Sequence, residues 1–125
     1  MNVLLVDDEE ELVATMAERL SMRGIDAAYA TSGEAALEMA RDRDFDLVVL
    51  DVKMPGMHGL ELMRRLEAVR PDLKYIFLTG HGSAEDYKAC SEAGACSYLI
   101  KPANLEALIN KIKEALGIGP SGSGA

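Results

Sequence analysis

The sequence predicts an α/β fold in which helices cover both faces of a five-stranded parallel sheet. Two observations lead to this prediction. Five short apolar runs of strand length recur along the chain, and the segments between them carry apolar residues at helical spacing. Because strands that alternate with helices are joined by crossover connections, five such units form one parallel sheet with helices on both sides.

The composition of the predicted strands indicates their order in the sheet. The first, third and fourth runs are unbroken apolar stretches, which are typical of strands covered on both faces. The second is alanine-rich and the fifth opens with Cys-Ser, so both are expected at the edges. These assignments favour the doubly wound order 2-1-3-4-5. The runs are NVLLVD (2–7), IDAAYA (25–30), DLVVLD (46–51), KYIFLT (74–79) and CSYLIK (96–101).

The predicted helices begin and end at residues that commonly occupy those positions. Ser32 and Ser83 are expected to be N-caps, and Pro71 falls just beyond the third helix. The first helix is expected to end at Gly24 and the last at Gly117. We therefore expect one domain over residues 1–116. The Gly/Ser-rich residues 117–125 form a flexible tail, either the start of a linker or a vector-derived extension.

The charge and composition exclude several classes of function. The 125 residues include 21 acidic and 13 basic side chains, for a net charge of -8, so direct contact with nucleic acid is not expected. The first residues, MNVLLVDDEE, have no basic flank, so a signal peptide is not expected. A membrane span is not expected either, because no apolar stretch approaches the necessary length. Cys90 and Cys96 fit no zinc spacing, which favours free thiols in a reducing cytoplasm.

Polar residues follow four of the five predicted strands. Strand 1 ends in Asp7 and Asp8, strand 3 in Asp51, strand 4 in Thr79 and strand 5 in Lys101. Each has an ordinary explanation when taken alone, since acids favour helix N-termini and lysines favour the surface. Parallel strands, however, deliver their carboxyl ends to one edge, where ligands of open α/β sheets bind. Because the polar residues of four strands would meet at this edge, the sequence predicts a functional site there.

The residue types at this edge indicate phosphate chemistry that depends on a divalent cation. Three neighbouring carboxylates repel one another, and an all-oxygen ligand set points to Mg²⁺, or alternatively Mn²⁺, rather than zinc. Lys101 and Thr79 are suitable donors to phosphate oxygens. Asp51 could itself accept a phosphoryl group as a nucleophile, with the metal and the lysine offsetting the developing charge.

Four motifs in this sequence resemble the receiver domain of two-component response regulators, the CheY-like family. They occur in the family's order and spacing, and the resemblance covers residues 2–116. The family's fold is the flavodoxin-like doubly wound sheet, in agreement with the strand order above. The motifs are VLLVDDEE (3–10), LVVLDVKMPGMHGLELM (47–63), IFLTGHGS (76–83) and AGACSYLIKPAN (93–104).

The resemblance implies a role for each residue of the acidic edge. Asp51 would be the phosphoacceptor, taking its phosphoryl group from a sensor histidine kinase or a histidine phosphotransfer protein. Asp7 and Asp8 would hold Mg²⁺, Asp8 directly, together with Asp51 and the backbone carbonyl of Lys53. Lys101 would pair with the phosphate.

The resemblance also implies a switch and its tuning. Thr79 would reorient toward the phosphate, and Tyr98 would follow it into a more buried position, changing the surface of helix 4, strand 5 and helix 5. A downstream partner, or a second copy of the chain, would bind there. The Lys101-Pro102 peptide would be cis. Lys53 and His81 overhang the acceptor and are expected to tune the lifetime of the phosphate, whereas His58 is given no role.

The leading interpretation is therefore a phosphorylation-activated signalling switch that catalyses only its own phosphorylation and dephosphorylation and is otherwise not an enzyme. One alternative is a degenerate receiver that binds partners without phosphate. A second is an aspartyl-phosphate phosphatase or phosphotransferase. Enzymes of the haloacid dehalogenase type have a D-x-D-x-T pattern at the end of strand 1, however, and this chain has DDEEE (7–11) there. A flavodoxin-like cofactor binder would need a phosphate-cradling loop after strand 1, where this chain is acidic.

Overall fold

The computed structural model describes residues 1–52, 54, 56–80, 84–92, 96–101 and 103–118. Of these, only the backbone is described for Thr79, 84–86, Ala89 and Cys96. Strands and helices alternate along the chain as the sequence predicts. The elements are β1 (Asn2–Val6), α1 (Glu10–Met22), β2 (Asp26–Ala30), α2 (Gly33–Asp42), β3 (Leu47–Leu50), α3 (Gly59–Val69), β4 (Lys74–Thr79), α4 (Ala84–Glu92), β5 (Cys96–Ile100) and α5 (Leu105–Ala115).

The sheet is parallel throughout, and its order is β2-β1-β3-β4-β5, which confirms the predicted order. The strand register sets Val6 beside Leu50 and Thr79 beside Ile100, so the carboxyl ends of the strands meet at one edge. Every residue of β3 is buried, whereas in β2 only Ala30 is buried and the other four residues are exposed or partly buried. The central strands are thus covered on both faces, as their unbroken apolar runs predict.

Two apolar cores lie on opposite faces of the sheet because successive strand residues point to opposite sides. Val3 and Leu5 of β1 face the core formed with α1 and α5, and Leu4 and Val6 face the core formed with α2, α3 and α4. The first core also contains Val49, Ile76 and Leu108, and the second Val48, Leu66 and Phe77. These two cores fix the central strands, and with them the edge where the polar residues lie.

The helix ends follow local sequence signals. Ser32 is the N-cap of α2, because its Oγ accepts a hydrogen bond of 3.1 Å from the Ala35 N–H. Gly24 (φ 84°) and Gly117 (φ 74°) both adopt the left-handed conformation after a helix. The Ile118 N–H donates to the Lys113 carbonyl at 2.8 Å, which closes α5. Ser83 and the tail residues 119–125 lie outside the described residues.

One expectation about the cysteines is wrong. Cys90 lies on the buried face of α4 with 1% of its surface exposed, and it is disulfide-bonded, so it is not a free thiol. The sequence did not reveal this disulfide because a disulfide forms only where the fold brings two cysteines to the required distance and orientation. The side chain of Cys96 is not among those described. Within the described parts of the chain, no helix is long and apolar enough to span a membrane.

Candidate functional site

The backbone of two neighbouring strands positions the first two carboxylates. The Asp51 N–H donates to the Val6 carbonyl at 3.1 Å, and the Asp7 N–H donates to the Ala30 carbonyl at 3.2 Å. Both hydrogen bonds extend the sheet by one residue past the last strand position. The side chains of Asp7 and Asp51 are therefore held by the rigid sheet and not by a loop.

Three aspartates form a cluster at this edge. One carboxylate oxygen from each of Asp7, Asp8 and Asp51 lies within 4.8 Å of the others. Asp7 and Asp51 are buried, with 7% and 9% of their surfaces exposed, and Asp8 is exposed. The sheet thus presents a recessed acidic site that is open to solvent on the Asp8 side.

Lys101 is the cation that contacts the buried acids. Its Nζ lies 2.6 Å from Asp7 Oδ2 and 3.2 Å from Asp51 Oδ2, and Glu9 Oε1 is 3.6 Å away on the solvent side. Burial by itself lowers the pKa of Lys101. The hydrogen bonds and attraction to Asp7 and Asp51 outweigh that effect and raise the pKa above its ordinary value. Lys101 therefore stays charged beside Asp7 and Asp51.

The donor set fits a divalent cation. Three carboxylates carry three negative charges and Lys101 compensates one, so a doubly charged cation would neutralise the remainder of the cluster. The oxygens lie close enough together to share one ion. Mg²⁺ is held in proteins by few carboxylates and retains water on its open side, as the exposure of Asp8 would permit. The residues present are thus suited to a hard divalent cation.

The remaining predicted site residues lie on β4 and β5 or outside the described residues. Thr79 ends β4 and pairs in register with Ile100 of β5, which places it at the same edge as Asp51; its side chain is not described. Tyr98 is half-buried on β5. The expectations for Lys53, His81 and the cis peptide at Pro102 fall on residues that the structure does not describe.

Comparison with known proteins assigns the family. The receiver-domain profile of response regulators matches residues 3–113. The chain belongs to the response regulator receiver domain family. The resemblance noted in the sequence motifs is thereby confirmed.

Individual relatives of this receiver domain agree with that assignment. Response regulator MprA of Mycobacterium leprae is 41% identical over 117 residues, which cover 93% of this chain and 51% of that protein. A CheY-like receiver domain protein of Methanospirillum hungatei has a TM-score of 0.86 at 33% identity, over 92% of each chain.

A third relative was solved in a modified state. A response regulator protein from Burkholderia pseudomallei, with a phosphorylated aspartic acid, a calcium ion and citrate, has a TM-score of 0.81 at 32% identity. The match covers 87% of this chain and 64% of that one. This receiver domain spans between 26% and 51% of the length of the first curated relatives that it matches.

The structure adds a helix cap that was not predicted from the sequence. His58 is the N-cap of α3, and its Nδ1 accepts a hydrogen bond of 3.2 Å from the Leu60 N–H. Histidine is a weak sequence signal for a cap because Ser, Thr, Asp and Asn are the usual N-cap residues. His58 thereby fixes the start of the helix that follows β3 and Asp51.

Gly59 brings α3 directly against the backbone of Asp51 and Val52. Its N–H donates to the Val52 carbonyl at 2.7 Å. A Cβ at Gly59 would lie 2.7 Å from Val52 Cα and 2.8 Å from the Asp51 carbonyl oxygen. Since both neighbours are backbone atoms, they cannot rotate out of the way. A glycine is therefore required at the first residue of α3.

Replacing Gly59 with alanine is expected to lower the free energy of unfolding by about 1–3 kcal/mol, the usual cost of overpacking. Denaturant unfolding measures this loss. Gly33→Ala is a matched control because Gly33 also begins a helix, but its nearest neighbour is the flexible Met57 side chain, with Sδ at 2.8 Å. A loss in Gly33→Ala as large as that in Gly59→Ala would contradict the argument.

Added Mg²⁺ is expected to raise the free energy of unfolding of this receiver domain. A cation that binds only the folded acidic cluster stabilises it by about 2.7 kcal/mol at 100 times its Kd. Thermal unfolding with Mg²⁺ and with EDTA measures the effect. Asp8→Asn should remove most of it, whereas Asp72→Asn, an exposed acid before β4, should retain it. Equal Mg²⁺ responses in both variants would argue against this cation site.

Proposed function

We propose that this receiver domain is a phosphorylation-activated switch of a two-component system and that Asp51 is its phosphoacceptor. The observation that carries the proposal is the environment of Asp51. Its carboxylate is held by the end of a buried strand, lies within 4.8 Å of two further carboxylates and is 3.2 Å from the Lys101 ammonium. A carboxylate with a purely structural role would be satisfied by an ion pair with Lys101 and would not need two further carboxylates beside it.

The chemistry proposed for Asp51 is phosphoryl transfer from a phosphohistidine. An oxygen of Asp51 forms the new bond to phosphorus as the bond from phosphorus to the histidine nitrogen breaks, which leaves an aspartyl phosphate and a free imidazole. Lys101 already contacts Asp51 Oδ2, so its charge offsets that of the arriving phosphoryl oxygens. Asp7 orients Lys101 through the 2.6 Å contact. Sensor histidine kinases or histidine phosphotransfer proteins would be the donors.

Mg²⁺ is the proposed metal, with Mn²⁺ as a substitute. Asp8, Asp7, Asp51 and the carbonyl of Lys53 would hold it, and it would supply charge compensation that lets a phosphate approach the carboxylates. The Burkholderia relative, whose structure contains both a phosphorylated aspartic acid and a calcium ion, supports the binding of a divalent cation by domains of this kind. We also propose that Lys53 and His81 tune the lifetime of the phosphate on Asp51.

The proposed output is a change at the surface of α4, β5 and α5. A phosphate on Asp51 can shift an equilibrium only by contacts that are stronger in one state. Thr79 would provide such a contact, and Tyr98 would move with it. Tyr87 and Ile100, 59% and 56% exposed, give this surface apolar groups for a downstream protein, an output domain or a second copy of the chain.

The proposal also covers the bounds, the location and the activity of this domain. We assign residues 1–116 to the receiver domain, place it in the cytoplasm and ascribe to it no activity beyond its own phosphorylation and dephosphorylation. The chain spans only part of the length of its first curated relatives. We propose that either a downstream protein or an output domain carries the response.

The proposal is tested by incubating the chain with acetyl phosphate and Mg²⁺ and measuring its intact mass. The expected result is a gain of one phosphoryl group that requires the metal and is lost when EDTA is added first. Chelation matters because, without a cation, the carboxylates repel the incoming phosphate. No gain with the wild-type chain, under conditions where Mg²⁺ raises its stability, would refute the proposed function.

A further inference from the structure

Three aromatic rings run in contact from the core to the surface beside the acidic site. Phe77 of β4 is fully buried, and its ring centroid lies 6.3 Å from that of Tyr98 on β5. The Tyr98 ring in turn meets the ring of Tyr87 on α4 at 5.5 Å, in an edge-to-face arrangement with an interplanar angle of 65°. Tyr87 is 59% exposed, so Tyr98 lies between a core ring and a surface ring.

The packing of these rings holds Tyr98 in an inward position. Tyr98 is half-buried, packs against the core on the α2, α3 and α4 face, and has a buried hydroxyl oxygen. Phe77 cannot move away because it is enclosed by that core. Tyr87 is the ring that closes the other side, and as an exposed helix residue it contributes little to the core itself.

We propose that Tyr87 is a positioning residue for the Tyr98 switch, and that its ring stabilises the inward position of Tyr98 associated with the phosphorylated state. This inference rests on the proposed function, in which Tyr98 moves inward as Thr79 turns toward the phosphate. Edge-to-face aromatic pairs change an equilibrium by roughly 2- to 12-fold. Loss of the Tyr87 ring therefore disfavours the inward state by that factor.

The test uses beryllofluoride, a phosphate mimic, as the probe. Because ligand binding at Asp51 and the position of Tyr98 are coupled, a variant that disfavours the inward position of Tyr98 binds beryllofluoride more weakly, by at most the factor by which that position is disfavoured. The amide resonances near Asp51 are titrated with beryllofluoride and Mg²⁺ in the wild type, Tyr87→Ala and Tyr87→Phe. Tyr29→Ala is the matched control, since Tyr29 is a 38% exposed tyrosine on the opposite edge strand, β2.

The expected result is an apparent affinity for beryllofluoride that is weaker, by up to roughly 12-fold, in Tyr87→Ala, with wild-type affinity in Tyr87→Phe and in Tyr29→Ala. Rescue by phenylalanine is expected because the pair needs the ring and not the hydroxyl. Equal or tighter binding by Tyr87→Ala would overturn the inference and leave the phosphoacceptor role of Asp51 standing. Failure of the wild-type chain to bind beryllofluoride would overturn both.

Discussion

Replacing Asp51 by asparagine is expected to abolish phosphorylation by acetyl phosphate in the presence of Mg²⁺. Asparagine has nearly the same volume and keeps the backbone hydrogen bond from residue 51 to the Val6 carbonyl, so the fold should persist. Its amide, however, lacks the charged oxygen needed to attack phosphorus. Intact-mass measurement over time should show no phosphoryl gain in this variant.

Asp46→Asn is the matched control for this loss. Asp46 lies five positions earlier, at the opposite end of β3, where its carboxylate accepts a hydrogen bond of 2.7 Å from the Asn2 N–H. An asparagine oxygen can accept the same bond, and the acidic cluster is untouched. We expect this variant to be phosphorylated at the wild-type rate. A phosphoryl gain in Asp51→Asn that matches that of the control would place the acceptor elsewhere.

Replacing Lys101 by methionine is expected to slow phosphorylation by about 10²-fold, the effect of removing one preorganised charge beside a developing anion. The Nζ atom contacts both Asp7 and Asp51, so the substitution removes its positive charge from beside two buried carboxylates. The rate of mass gain under saturating Mg²⁺ measures this effect. Methionine keeps an unbranched side chain that is one atom shorter, so it removes the ammonium and retains most of the packing of the lysine stem.

A second readout separates the charge of Lys101 from its packing. The pKa of Lys101 is raised from 10.5 in the folded chain, so its interactions stabilise the fold fully below the unfolded pKa and are lost as pH rises through the folded pKa. The wild type should therefore lose more unfolding free energy than Lys101→Met above pH 10.5. Burial also raises the pKa of Tyr75, but that contribution is common to both proteins.

An unchanged phosphorylation rate in Lys101→Met would show that the ammonium does not act on the phosphoryl group. Lys111→Met provides the comparison, because Lys111 lies on α5 with its Nζ 3.9 Å from Glu114 and away from the acidic cluster. We expect its rate and its alkaline stability profile to match the wild type.

The sequence was sufficient to predict the sheet and the meeting of Asp7, Asp51 and Lys101 at one edge of it. Unbroken apolar runs identified β1, β3 and β4 as central strands, and the ends of parallel strands must meet, so Asp7 and Asp51 had to be neighbours. The sequence could not show that Asp7 is buried and Asp8 exposed, because that depends on the direction of the chain as it leaves β1.

Contacts between separate elements were beyond the reach of sequence patterns. The Tyr87 ring meets Tyr98 because α4 packs against β5. The requirement for glycine at Gly59 similarly follows from the 2.7 Å approach of α3 to Val52. None of these contacts leaves a periodic signal in the sequence.

The central claim, that Asp51 accepts the phosphoryl group, is tested most directly by locating the modification. Borohydride reduces an aspartyl phosphate to homoserine, which marks the acceptor permanently. Tryptic cleavage after Arg43 and Lys53 releases a peptide over 44–53 that contains Asp44, Asp46 and Asp51, and fragment sequencing distinguishes the three. The account predicts homoserine at position 51 alone, only after phosphorylation with Mg²⁺. Homoserine at another aspartate, with position 51 unmodified, would contradict it.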